Sequence, residues 1–277
     1  MSTLVSTNDR LRQAVVSASA VFMIVGTLFG IGVFGKRVEE TAGGSLSATA
    51  TLLAPAVRAF SIWSVIYLGL IAYVVWQWLP GATSSPRARA IGWLASLSMV
   101  LNAAWLLVTQ VGWLWPSVAI IVALVVTLGL LMQRLTAIPA GEGNGPSGVW
   151  VERIVVDGTF GLYLGWVSIA TAANITATLV ANGVNPGGLV AEVIAVAVLA
   201  VAAGIGVLLA KTFGGRIAVA AAMAWGLSWI AVGRLTGEPG STLTGIAAAL
   251  AALVVVVATI IGTRRGSLQP ATARTAA

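Results

Sequence analysis

Eight long apolar blocks, divided by short polar connections, leave this chain few ways to fold. They run over about 13–34, 60–80, 90–110, 115–134, 155–180, 188–210, 216–233 and 242–262. Each offers roughly 18–26 residues, which at 1.5 Å per residue crosses about 30 Å of hydrocarbon. Of 277 residues, 58% are hydrophobic and only 8% charged; a soluble domain has about a quarter of its residues charged. A soluble core of this size would need a polar coat, and the chain lacks one. The blocks are also too continuous for the alternating segments of a membrane β-barrel. The expected fold class is all-α: a polytopic membrane helical bundle of about eight transmembrane helices.

The connections carry the remaining polarity. Residues 35–59 are long and rich in Gly, Ser and Thr, and residues 135–153 contain the run IPAGEGNGPSG. Between the third and fourth blocks, WLWP at 113–116 reads as a tight turn. Trp113 and Trp115 sit at interface depth there, and Pro116 falls in a helix's first turn. The first block lacks a cleavage pattern and is long enough to stay as a span.

Lys and Arg divide unevenly between the two sides. Arg10, Arg12, Arg87, Arg89, Arg134, Arg153, Lys211, Arg216, Arg264, Arg265 and Arg274 fall on one side, and Lys36, Arg37, Arg58 and Arg234 on the other. With an even number of spans, that bias predicts a cell-membrane protein with both termini cytoplasmic. The same topology accounts for the net charge of +7 without a nucleic-acid partner. There is no Cys and no His, which excludes disulfides, thiol nucleophiles, histidine bases and zinc motifs. No metal site is expected.

Among the 11 tryptophans, Trp76, Trp78, Trp93, Trp113, Trp115 and Trp150 fall near span ends, where indole suits the headgroup region. The others keep helical register with polar residues. Tyr163, Trp166, Ala170 and Asn174 lie within roughly 80° of one another at 100° per residue. Phe60, Trp63 and Tyr67 repeat the geometry on the second helix, and Asn102, Trp105 and Thr109 on the third. Trp225 and Trp229 offer a fourth stripe. Trp63, Trp105, Asn174 and Trp229 share the outer half of the membrane, with Trp166 near the middle. Stripes at one depth can line a cavity for a large, planar, mostly apolar ligand. They can equally be packing, with Asn102 and Asn174 joining helices by hydrogen bonds worth about 0.6–1.7 kcal/mol. Periodicity alone leaves both readings open. The spacings Gly26–Gly30 and Gly204–Gly206 suit close helix approach.

Catalysis needs groups of tunable protonation. The candidates near the membrane, Asp157 and Glu192, open the fifth and sixth helices, where a carboxylate serves as a cap. No catalytic residue is assigned. The predicted bilayer centre carries no charge, which argues against an ion-coupled transporter.

The phrases FSIWSVIYLG (60–69), LNAAW (101–105) and YLGWVSIATAAN (163–174) resemble the TspO/MBR family of tryptophan-rich sensory, or translocator-like, proteins. The resemblance covers about residues 13–180 and carries over Trp63, Tyr67, Asn102, Trp105, Tyr163, Trp166, Ala170 and Asn174 as ligand-binding residues. It implies a five-helix core at 13–180 after a short tail at 1–12. Three further helices follow at 181–262, without counterpart in compact members, and then a disordered basic tail at 263–277. The connection after the first helix lacks the family's usual tryptophan and paired prolines, keeping only Pro55. Phe60 stands three residues before Trp63 where the family has four.

The resemblance implies a binding or sensory protein for a planar hydrophobic ligand, a porphyrin or other tetrapyrrole, with sterol-like molecules as a further class. No cofactor is required, and a bound porphyrin or haem would be the ligand. Two alternatives accompany it: a transporter of a lipophilic metabolite, and a membrane enzyme acting oxidatively on a bound tetrapyrrole. The expected partners are that ligand, the lipid bilayer and a second copy in a homodimer.

Overall fold

The computed structural model describes residues 5–141 and 146–268. Eight long helices dominate: α1 (Thr7–Gly30), α2 (Ile62–Trp76), α3 (Pro86–Gln110), α4 (Leu114–Ala137), α5 (Thr159–Ala181), α6 (Gly188–Thr212), α7 (Ile217–Thr236) and α8 (Thr242–Leu268). Each belongs to a segment long and apolar enough to cross a membrane, and no strand occurs among the described residues. The chain is an all-α polytopic bundle.

α1 begins at Thr7, six residues ahead of the expected start. Ser6 caps it, its hydroxyl accepting the Asp9 amide while the Asp9 carboxylate accepts the Ser6 amide. This capping box carries the helix through charged residues that hydropathy alone would leave outside. At the other terminus α8 runs to Leu268, and the rest of the expected tail lies outside the described residues. Between α3 and α4 the turn is as tight as expected. Gly112 supplies its left-handed conformation at φ +77°, and Pro116 lies in the first turn of α4.

α3 packs along α1 and α4, α5 along α4 and α7, and α8 along α7 and α6, while α2 lies against α1 and α5. α6 reaches the bundle chiefly through α8. Small residues set the tightest approaches. A Cβ at Gly26 would strike Ala103 and one at Gly30 would strike Leu106, so the Gly26–Gly30 spacing brings α1 onto α3. Gly206 does the same against Val255, whereas Gly204 faces open space. Gly161 and Gly165 let α5 close on Ala218, Val219 and Ala222 of α7.

The end of the bundle where α1 begins is tied by charge. Arg87 bonds both oxygens of Asp157, at 3.1 and 2.6 Å, and Arg216 shares that carboxylate. Glu152 lies 3.5 Å from Arg87. Arg12 and Arg89 both meet Asp9. Asp157 is expected from its position to cap the fifth helix, and it does not. It sits in a wide π-type turn at Arg153–Gly158 and joins α3 to the start of α7. Trp76 is a second correction. It is buried, not interfacial, stacked on Tyr73 at 5.9 Å, and Phe160 meets Tyr73 edge-on at 5.0 Å. Trp78, Trp93, Trp113, Trp115 and Trp150 are exposed, as their span-end positions suggest.

Candidate ligand-binding site

At the opposite end, α2, α3 and α5 bring their aromatic stripes together. Trp63 and Tyr67 lie one turn apart on α2 and stack at 5.2 Å with planes 20° apart. Trp63 meets Trp166 edge-on at 6.2 Å and Tyr163 at 5.8 Å. Phe60 meets Trp166 edge-on at 5.7 Å. The tilted contacts set ring edges against ring faces, the arrangement aromatic quadrupoles favour. α5 can supply its part because Gly161 and Gly165 lie roughly opposite the Tyr163–Asn174 stripe at 100° per residue. Its bare face takes α7, and its aromatic face is left for α2 and α3.

Two neighbouring spaces follow. A cavity of about 440 Å³ lies among α1, α2 and α3, lined by Thr27 and Gly30, by Phe60, Trp63 and Tyr67, and by Trp105 and Leu106. Arg37 and Glu39 stand at its edge, 3.7 Å apart. A smaller chamber of about 60 Å³ is lined by Trp166, Ala170 and Asn174 of α5, with Ser45–Ala48, Ala54 and Pro55 above. Val38, Phe60 and Trp105 are walls of both.

The polar side chains divide into two groups. Trp105 donates its indole N–H to Asn174 at 3.1 Å, and Asn174 donates to Ser117 at 3.0 Å, so one amide links α3, α5 and α4. Tyr67 donates to Asn102 at 3.1 Å, and Tyr163 to the Ser98 carbonyl at 3.1 Å. Asn102 and Tyr163 are buried and line neither space; they join helices beside the site. Trp166 is different. It is 1% exposed, and its indole nitrogen has no hydrogen-bond partner. A buried N–H left unpaired is costly, and here it belongs to a wall of the inner chamber.

Of the eight residues singled out, Trp63, Tyr67 and Trp105 line the larger cavity, and Trp105, Trp166, Ala170 and Asn174 line the chamber. Trp225 and Trp229 line neither; they stack edge-on at 5.6 Å against the cover over the site. Sequence reasoning missed that cover. Residues 38–56 pack down on the helix ends and bury Thr41, Thr51, Leu53 and Ala54. Their Gly/Ser/Thr content reads as loop, and hydrophobic period has no purchase on irregular backbone. The contribution of Thr27 and Gly30 was signalled only by the Gly26–Gly30 spacing.

No metal-binding cluster of acidic residues occurs among the described residues. No curated protein and no solved structure gives a significant match to the chain. The family model for TSPO-like proteins matches residues 13–261. That match takes in α6, α7 and α8, which the motif resemblance, ending near residue 180, did not reach. With eight membrane-length apolar segments and a family match across nearly its whole length, the chain is a multi-pass membrane protein and belongs to the TSPO-like family.

Proposed function

We propose that this protein binds a planar, mostly apolar small molecule of the porphyrin or tetrapyrrole class in the aromatic cavity between α1, α2 and α3. The observation that carries the reading is the shared wall of Trp63, Tyr67 and Trp105 around about 440 Å³. That volume falls within the range of about 300–1,000 Å³ typical of small-molecule sites. Flat ring faces suit a flat ligand, and the few polar groups nearby suit one that is mainly hydrophobic. Trp166, a wall of the chamber whose indole N–H has no partner, supports the reading as a donor left unused by the protein itself. Trp63, Tyr67 and Trp105 contact the ligand in this reading, and Trp166, Ala170 and Asn174 meet whatever part of it enters the chamber. Asn102 and Tyr163 hold the walls.

The protein sits in the cell membrane with both termini cytoplasmic and the cavity in the outer half. The excess of Lys and Arg at the end bearing the termini supports that orientation. Titration of the purified protein with protoporphyrin, followed by the Soret band, tests the binding. A saturable shift at one ligand per chain is expected. A linear, unsaturable rise matching empty detergent micelles would overturn the reading.

A further inference from the structure

α7 lines neither the cavity nor the chamber, yet two of its residues bond the segment that covers them and a third bonds the turn that follows it. Arg234, 2% exposed, donates to the carbonyls of Ala48 and Thr51 in the cover, each at 3.0 Å. The same guanidinium donates to Pro239 at 2.9 Å and Glu238 at 3.3 Å in the α7–α8 loop. Trp225 donates its indole N–H to the Ala59 carbonyl at 2.9 Å, and the Ala56 amide donates to the Trp229 carbonyl at 3.2 Å. Ala48 and the neighbouring Ser45, Leu46 and Ser47 form the roof of the inner chamber.

The chemistry of this clasp differs from that at the other end of the bundle. There, Arg12, Arg87 and Arg216 meet carboxylates, and parting them separates opposite charges in a medium that screens poorly. Arg234 forms no ion pair among the described residues, and all four of its bonds end on neutral carbonyls. A planar guanidinium can bridge four carbonyls on two segments at once, which no other side chain matches. Neutral acceptors can be exchanged for water without stranding a carboxylate. Opening this clasp would hydrate one guanidinium and strand no carboxylate.

We propose that α7 is the latch of the α1–α2 connection, with Arg234 as the positioning residue that keeps residues 45–55 closed over the inner chamber and so sets how fast a bound molecule leaves. The ligand-retention half of this inference rests on the proposed function; the latch itself does not. The C-terminal helices thereby gain a role that involves no contact with ligand.

The chain contains no cysteine, which makes the test direct. Leu53, 2% exposed within the cover, is replaced by Cys in the full-length protein, and Leu135, 1% exposed in α4 at the other end, serves as the control position. Maleimide modification of Leu53→Cys is expected to quicken about tenfold in Arg234→Gln, with Leu135→Cys unchanged. Arg234→Lys should fall between. Trp225→Phe, which removes the donor and leaves a smaller aromatic ring, should quicken Leu53→Cys modification less, in the same direction. Unchanged labelling of Leu53→Cys in both Arg234→Gln and Trp225→Phe overturns the latch. So does an equal rise at both cysteines, because Arg234 would then support the whole fold. Protoporphyrin dissociation is measured on the same variants and should quicken with the labelling. Faster labelling without faster dissociation overturns the retention half, and a wild type that binds no porphyrin sinks the functional reading while leaving the labelling result to judge the latch.

Discussion

At the scale of single residues, the site depends on side chains that face inward for different reasons. Asn174 accepts from Trp105 and donates to Ser117, so its amide sets the position of one cavity wall. Asn174→Ala is expected to cost about 1 kcal/mol of stability, lowering the thermal midpoint in detergent, and to weaken porphyrin binding through the freed Trp105. An unchanged midpoint and affinity would show that the amide positions nothing. Much of this arrangement was legible in the spacing Tyr163, Trp166, Ala170, Asn174. The split of roles within the stripe was not. Tyr163 turns its hydroxyl to the Ser98 carbonyl, while Trp166 leaves its N–H unpaired in the chamber wall. A helical period reports which way a residue faces, and both of these face inward. Trp76 shows the same limit from the other side. Its place at a span end suggested the headgroup region, but it is buried and stacked on Tyr73, which Phe160 meets edge-on.

At the scale of elements, α5 is the pivot. One face presents aromatics to α2 and α3, and the other presents Gly161 and Gly165 to α7. The two faces were readable as spacing, but which neighbour met which face depends on the order in which helices pack. Asp157 illustrates why. Read locally it is a helix cap, yet its partners Arg87 and Arg216 lie 70 and 59 residues away. Asp157→Asn would leave two guanidinium groups without their shared carboxylate, and Arg87 is buried. A destabilisation of about 3 kcal/mol is expected, read as a lower unfolding midpoint in a denaturant series. A variant as stable as wild type would mean that Glu152 carries Arg87 alone. The covering segment at 38–56 is the element least visible beforehand. It buries Leu53 without the period of a long helix or a strand, and its bonds to Arg234 of α7 join positions more than 180 residues apart in sequence.

At the scale of the whole molecule, eight apolar segments and the position of basic residues determine the architecture and its proposed orientation. The segments were evident from hydropathy because each must satisfy its own backbone in lipid. If both termini are cytoplasmic, as proposed, Asn185→Cys in the exposed α5–α6 connection should react with an impermeant maleimide on intact cells. Ala137→Cys, exposed at the other end, should react only after permeabilisation; the reverse pattern would invert the topology. The central claim concerns the cavity between α1, α2 and α3. Its most direct test compares the protoporphyrin Kd of Trp63→Ala, which removes a cavity wall, with that of Trp93→Ala, which removes an exposed indole. The account expects Trp63→Ala to weaken binding about tenfold and Trp93→Ala to leave it unchanged; equal affinities for the two variants and the wild type would contradict it.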